Sequence, residues 1–330
     1  MANISITLAC NRDCAFCFAR AEAVLTPGPS PHMPLPRFEA ALDFLARSGI
    51  PEARLLGGEP TLHPEFGRIV DMVASRGASL VLFSGGIIPE AALKRLESLP
   101  ASSVSILINT RPPLKGRPLE PARLDEVCRR LGTRAMLGVT IDSPSIRLDP
   151  LVDAIDAYGL HRRVRLGLAQ PSAGNGHAYL HPRHYAEVGR RVAAFAAVAR
   201  RRGVGLEFDC GWVPCMFPDG DLDPLGPAAS GIGRRCGPVL DLLPDGRFVS
   251  CYPLSGLGTL SLGPGLDAAR ARSYFEARRG EAGPCFIQPE CDTCDRRLAG
   301  SCGGGCLSAA LLRRRPWIGG RHATGGTRDC

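Results

Sequence analysis

Lysine is nearly absent from this chain of 330 residues: Lys94 and Lys115 are the only two, so a net charge of +8 rests on arginine. Aromatic residues are scarce as well, at 6% with two tryptophans. Surfaces that bind single-stranded nucleic acid interleave basic side chains with aromatic stacking partners. The arginine runs Arg200-Arg-Arg202 and Arg313-Arg-Arg315 have none interleaved, so they read as solvated helix faces. No apolar run reaches the ~18 residues of a membrane-crossing helix. Met1-Ala-Asn-Ile opens without the charged segment and apolar core of a secretion signal, and the expected location is the cytoplasm. In that reducing setting 14 cysteines read as metal ligands rather than a disulfide framework.

The first three cysteines fall together. Cys10, Cys14 and Cys17 form a CxxxCxxC run just after the apolar, strand-like stretch Ile4 to Leu8. Three thiolates on one loop can hold three irons of a [4Fe–4S] cluster and leave the fourth open to a small molecule. Zinc is the competing reading, but it usually takes four protein ligands, and no fourth lies nearby. Spacing alone favours the cluster without deciding it. Further on stands Leu55-Leu-Gly57-Gly58-Glu59-Pro60-Thr61. By itself this would be a turn, since glycine relieves backbone strain and proline punctuates. Its glycines also let backbone approach a ligand, and Glu59 can accept charge-assisted hydrogen bonds from an ammonium group.

Taken in order, CxxxCxΦC with aromatic Phe16 at Φ and then Gly-Gly-Glu-Pro, the chain resembles the radical S-adenosylmethionine (SAM) superfamily. The resemblance implies that Cys10, Cys14 and Cys17 hold a [4Fe–4S] cluster whose open iron takes the amino and carboxylate groups of SAM. Phe16, Gly57, Gly58, Glu59 and Pro60 then belong to the cofactor site, and the ammonium at Glu59 is SAM's own. It further implies reductive cleavage of SAM to methionine and a 5′-deoxyadenosyl radical that abstracts hydrogen from a substrate. That chemistry belongs to the cofactor; position and exclusion of water belong to the protein.

Strand-like apolar runs alternate with helical patterns over the first half, which predicts an α/β fold with a parallel sheet. Strands are expected near Ile4 to Leu8, Arg54 to Leu56, Ser79 to Phe83, Val104 to Ile108, Met136 to Ile141 and Val164 to Ala169. Helices are expected at Arg37 to Arg47, Pro64 to Ser75, Pro89 to Leu96, Pro121 to Leu131, Asp149 to Tyr158 and Pro182 to Arg202. Six such units match the partial (β/α)6 barrel of the radical SAM family, and ligands of such sheets sit at the C-terminal strand ends. Ser84, Asn109, Asp142, and Gln170 with Pro171 occupy those ends. By the same resemblance Ser84 and Asn109 are candidates for the SAM ribose or carboxylate, and the backbone near Leu168 for adenine. Capping a turn is the plainer role of Ser and Asn.

From Leu206 the chain turns to Cys, Gly and Pro with short strands. Cys236 and Cys251 stand in C-x9-G-x4-C spacing around Pro244-Asp245-Gly246, a hairpin turn with a positive-φ glycine. Cys291, Cys294, Cys302, Cys306 and Cys330 follow. This segment resembles the SPASM extension of radical SAM enzymes, with seven cysteines and two auxiliary [4Fe–4S] clusters, though seven residues separate Cys294 from Cys302 where five are usual. A zinc ribbon through Cys291, Cys294, Cys302 and Cys306 is the alternative. The resemblance assigns Cys236, Cys251 and Cys306 to the first auxiliary cluster, and Cys291, Cys294, Cys302 and Cys330 to the second. An eighth thiolate is wanted; Cys215, beside Pro214, is preferred over Cys210 and Cys285. A spare Cys210 or Cys285 could return a hydrogen atom to a substrate radical. Cys128, inside an expected helix, reads as packing. The expected divisions are a barrel at 1–205, a bridge at 206–235 and a small cysteine-rich SPASM domain with a β-hairpin at 236–330.

The sequence therefore predicts a radical SAM oxidoreductase or tailoring enzyme with SAM, three [4Fe–4S] clusters and an electron donor of flavodoxin or ferredoxin type, and with neither nucleic acid nor membrane as partner. Relatives with this extension modify ribosomal peptides, or dehydrogenate or epimerise carbohydrate-like metabolites. A cluster loop that starts at residue 10 leaves no room for a leader-binding domain before it, which tips the expectation toward a small natural-product precursor, carbohydrate- or nucleoside-like. A peptide maturase is the close alternative. A non-catalytic iron–sulfur electron carrier is a third reading, and it has no use for an ammonium-binding acid at an open iron.

Overall fold

In the computed structural model, which describes residues 1–19, 30–111, 123–172, 178–217 and 221–314, parallel strands alternate with helices. The strands are β1 (Asn3–Thr7), β2 (Glu52–Gly57), β3 (Ser79–Ser84), β4 (Val104–Asn109), β5 (Ala135–Ile141), β6 (Arg163–Leu168) and β7 (Gly205–Phe208). Between them run α1 (Leu35–Arg47), α2 (Phe66–Ser75), α3 (Glu90–Glu97), α4 (Leu124–Leu131), α5 (Asp149–Tyr158) and α6 (Tyr185–Arg201). β1 to β7 lie side by side in chain order. The expected strands and helices are present to within about two residues at each end, except that residues 121–122 of the fourth helix lie outside the described residues and the sixth opens with a 3-10 turn, Pro182–His184. β7 goes beyond the expected set because four residues carry too short an alternation to read.

Period-two patterning sets the two faces of the sheet. Leu80 and Leu82 of β3, Ile106 and Ile108 of β4, and Val164 and Leu166 of β6 are buried with Phe38, Ile69, Leu93 and Leu131 of the helices. Arg54, Phe83, Asn109 and Arg165 alternate with them, half-buried on the opposite face. There the guanidinium groups of Arg54 and Arg165 lie 5.2 and 5.0 Å from the Phe83 ring centre, and Arg165 Nε donates to Asp209 Oδ1 at 2.7 Å. Among the described residues no helix is long and apolar enough to cross a membrane.

The hairpin continues this sheet. β8 (Asp241–Leu242) pairs parallel with β1, Asn3 opposite Asp241 and Ile4 opposite Leu242; β9 (Arg247–Val249) runs antiparallel to β8, and β10 (Leu260–Ser261) antiparallel to β9. The order is β10-β9-β8-β1-β2-β3-β4-β5-β6-β7. No break in the apolar core marks residue 236: Leu242, Phe248 and Phe275 join the cluster that holds Ile4 and Phe44. A helix, α7 (Ala268–Glu281), follows β10, N-capped by Asp267, whose carboxylate accepts from Arg270 N–H. Two more complete the described chain, α8 (Asp295–Leu298) and α9 (Leu307–Arg314).

Polar ties fix the junction. Buried Asp241 accepts from Asn3 Nδ2 at 2.7 Å and from the Tyr252 backbone N–H at 2.9 Å, while the Tyr252 hydroxyl donates to buried Ser5 at 2.7 Å. Asp241→Ala would strand a buried backbone donor, at about 1–3 kcal/mol. The urea midpoint should fall accordingly with its slope unchanged; an unmoved midpoint would show that this tie carries no stability.

Candidate functional site

Backbone meets backbone where the two sequence motifs sit. Beyond the strand ends Gly58 N–H donates to the Thr7 carbonyl and Glu59 N–H to that of Ala9, both at 2.8 Å. A Cβ on Gly57 would lie 2.0 Å from the Thr7 carbonyl oxygen, and one on Gly58 2.2 Å from that of Ala9. Only glycine fits either position. The sequence reading gave these glycines to a ligand; the body they approach here is the lead-in to Cys10.

Glu59 is 1% exposed and caps the 3-10 turn Pro60–Leu62, which Pro60 opens. Its Oε1 accepts from the Thr61 N–H at 3.3 Å and hydroxyl at 2.6 Å, and its Oε2 from the Ser84 hydroxyl at 3.0 Å and the Gly85 N–H at 2.8 Å. A carboxylate offers about four acceptor positions, and these bonds fill them. Desolvation raises its pKa and the hydrogen bonds oppose that rise. What remains for an incoming ammonium is the field of the carboxylate. Ser84 is committed locally too: besides donating to Glu59, its hydroxyl accepts from Gly86 N–H at 2.9 Å.

The cysteine loop is tied across the strand ends. Asn11 Nδ2 donates to the Ile87 carbonyl, and one Arg12 guanidinium nitrogen to the carbonyls of Gly85 and Asn109, all at 2.8 Å. Motif spacing passes over Arg12 because it fills an unspecified position of CxxxC. Phe16 lies 5.7 Å from the guanidinium of Arg111, which pairs with Asp142 at 3.0 Å. Asn109 and Leu168 close β4 and β6, Leu168 buried. Desolvation raises the Cys10 thiol, the Arg12 N–H opposes it, and the charges of Glu59, Cys17 and Cys14 add to it. Three thiols and an acid thus share one electrostatic neighbourhood, which a metal cation relieves.

The other cysteines fall into two groups. Cys306 hydrogen-bonds to Cys236, which lowers Cys236 to about 6 and raises Cys306. Desolvation raises Cys210 to about 12 and lifts Cys251 well above the usual thiol range, and the charge of Cys236 adds to both. Cys210, Cys236, Cys251 and Cys306 form one group. Partial desolvation raises the Cys215 thiol to about 11, followed by the charges of Cys291, Cys302 and Cys294; Cys291 in turn feels Cys302 and Cys294. Cys215, expected beside Cys236, Cys251 and Cys306, therefore keeps company with Cys291, Cys294 and Cys302, because the turn Pro214–Met216 carries it away from Cys210. Cys285 packs near Cys236 and Cys251 with Leu254 and Leu307, its thiol 3.9 Å from the Ala282 carbonyl. Cys128 is fully buried in α4, and Cys330 lies outside the described residues.

Among the described residues no three His, Cys, Asp or Glu side chains converge as a single metal ion requires. Thiolates on one zinc ion stand about 3.8 Å apart, given a Zn–S distance of about 2.3 Å, whereas a four-iron cluster spreads its thiolates wider.

Residues 4–129 match the radical SAM superfamily. That span runs from β1 into α4 and contains both motifs. The whole fold is similar to that of SuiB from Streptococcus suis. Bound to the precursor peptide SuiA, SuiB superimposes with a TM-score of 0.67 at 14% identity, over 96% of this chain and 74% of SuiB. SuiB bound to S-adenosylmethionine gives 0.67 at 14% identity, over 98% and 76%. Native anSMEcpe with bound AdoMet gives 0.62 at 13% identity, over 93% and 90%. At these identities the likeness is one of fold. No curated protein matches the chain in sequence.

The backbone clamp is testable apart from any reaction. Gly58→Ala sets a methyl 2.2 Å from the Ala9 carbonyl, an overpacking that costs about 1–3 kcal/mol. The melting temperature and the iron taken up on anaerobic reconstitution should both fall, while Gly67→Ala, with open space around its Cβ, leaves both unchanged. Equal behaviour of the two variants would refute the clamp.

Proposed function

We propose that this protein is a radical SAM enzyme that abstracts hydrogen from a polar substrate held over the strand ends. The observation that carries the reading is the hydrogen-bonded union of Gly57-Gly58-Glu59 with the lead-in to the cysteine loop. Cys10, Cys14 and Cys17 would hold a [4Fe–4S] cluster with SAM on its open iron; together these supply an electron and a 5′-deoxyadenosyl radical. Glu59 fixes the end of β3 and turns its field toward the SAM ammonium. Arg12, tied to Gly85 and Asn109, brings positive charge to the strand ends, where the SAM carboxylate would find it. Phe16, Pro60, Ser84, Asn109 and the backbone at Leu168 border the rest of the cofactor, Ser84 through its bond to Glu59.

The cysteine groups beyond residue 206 are read as two auxiliary [4Fe–4S] clusters of SPASM type, three clusters in all, with residues 236–330 built onto the barrel's own sheet. The arginine-rich charge suits an acidic flavodoxin or ferredoxin as electron donor. The half-buried Arg54, Arg165 and Asp209 suit a substrate with several polar groups, such as a carbohydrate- or nucleoside-like precursor. A peptide substrate is the second reading, and the fold shared with SuiB, which was crystallised with its precursor peptide, favours it. An electron carrier would leave the Glu59 arrangement without a purpose.

Anaerobic reconstitution with iron and sulfide, reduction with dithionite and addition of SAM should yield 5′-deoxyadenosine, measured by chromatography. Cys14→Ala should reduce it to background while iron bound elsewhere stays. Glu59→Gln sets an amide donor against the Gly85 N–H and removes the charge, so SAM affinity should fall about tenfold, or ~1.4 kcal/mol. No 5′-deoxyadenosine from the unaltered protein would turn the assignment to an electron carrier.

A further inference from the structure

Cys215 stands alone in its surroundings. Gly211, Trp212, Val213, Pro214, Met216 and Phe217 are buried, and only Cys215 among them is exposed. Two backbone bonds lock the turn, Met216 N–H to the Val213 carbonyl at 3.1 Å and Phe217 N–H to that of Pro214 at 3.0 Å. The turn is seated on α6 so closely that a Cβ on Gly189 would lie 1.7 Å from the Met216 carbonyl oxygen. A thiol turned out of a rigid, buried turn is not packing. Its direction is set by Gly233, where an added Cβ would meet Pro214 Cδ at 3.4 Å and the Ser301 carbonyl oxygen at 2.9 Å. The residues just before Cys215 and just before Cys302 therefore lie against the same glycine. The ladder continues, with Gly233 N–H donating to the Trp212 carbonyl and Gly303 N–H to that of Gly233, both at 2.8 Å.

The facing loop is held as firmly. Arg297 donates to the Cys291 carbonyl, and to that of Asp292 at 2.8 Å. Gly304 N–H reaches the Cys302 sulfur at 3.4 Å. On the other side, a Cβ on Gly211, next to Cys210, would lie 3.5 Å from Cys306 Cβ. The segment 210–215 thus delivers one thiol to each group.

We propose that Cys215 closes the second auxiliary site with Cys291, Cys294 and Cys302, that Cys210 closes the first with Cys236, Cys251 and Cys306, and that neither site needs Cys330. This rests on the auxiliary-cluster reading above and departs from the ligand set that the family resemblance implies. Four thiolates saturate a [4Fe–4S] cluster, so neither auxiliary site keeps an iron open for substrate, and both serve electron transfer.

The test uses the full chain with Cys10, Cys14 and Cys17 replaced by alanine, reconstituted anaerobically and read by iron and sulfide analysis and Mössbauer spectroscopy. This parent should hold about eight irons, four per cluster. Cys330→Ser should keep them all, whereas Cys215→Ser and Cys210→Ser should each halve the iron and remove different clusters. Cys215→His guards against mere misfolding: a ligand exchanged for imidazole keeps the iron and raises the potential of one cluster, and a packing residue moves neither. Loss of a cluster in Cys330→Ser, full iron in Cys215→Ser, or an unmoved potential in Cys215→His would overturn the proposal. A parent that binds zinc or no metal would overturn the auxiliary-cluster reading beneath it, while 5′-deoxyadenosine formation by the unaltered protein tests the radical SAM reading separately.

Discussion

A buried carboxylate costs several kcal/mol unless its lone pairs are met, and the way Glu59 is met organises this molecule. Thr61 satisfies one oxygen from within the turn, and Ser84 with Gly85 satisfies the other from the next strand. Gly85 is then fixed, and its carbonyl holds Arg12, which also reaches Asn109 on β4. One acid thus links the ends of β2, β3 and β4 to the loop between Cys10 and Cys14. The Gly-Gly pair closes the circuit from below by pressing β2 against the same loop. Thiols placed in this way do not wait for a ligand to find their register.

The second constraint is the parallel pairing of β8 with β1. It joins residues more than two hundred positions apart through a two-residue strand, held by Asp241 and by the Tyr252 hydroxyl on Ser5. Because the cysteine-rich segment grows from the barrel's own sheet, its distance from the N-terminal thiols is set by β-pairing and not by a linker. Asp209, which pairs with Arg165 on the polar face, immediately precedes Cys210.

Much of this was legible in the chain, for physical reasons. β1 to β6 announce themselves because one face of each strand packs under helices, which writes the period of two, and the helices between them carry matching apolar stripes. The Gly-Gly-Glu-Pro motif is legible because backbone-on-backbone contact at Gly57 and Gly58 tolerates only glycine, and the cysteine motif because its thiol spacing is written along one loop. α7 escaped because Ala268-Ala-Arg-Ala-Arg has no apolar stripe to read, and β8 because two residues have no pattern and gain their partner from a distant strand. Arg12 is silent in spacing because its two acceptors are carbonyl groups, which every residue possesses. The sequence reading placed Cys215 ahead of Cys210 beside Cys236, Cys251 and Cys306, since spacing counts residues along the chain, whereas their partition depends on where α6 admits the Met216 carbonyl at Gly189.

α6 is in this sense the part that relates the two thiol groups. Tyr185, in its first turn, is buried, and desolvation followed by the charges of Cys306, Cys215 and Cys210 pushes its hydroxyl pKa up, so it lies within the field of both. Gly189, one turn on, seats the Cys215 turn. Between the thiols, Trp212 donates its indole N–H to the Leu166 carbonyl of β6 at 3.1 Å and meets Phe208 edge-on at 4.9 Å. The segment that feeds both groups is thus bolted to the barrel at β6, β7 and α6 together. Neither Cys210 nor Cys215 can shift against the strand ends without disturbing one of these buried contacts.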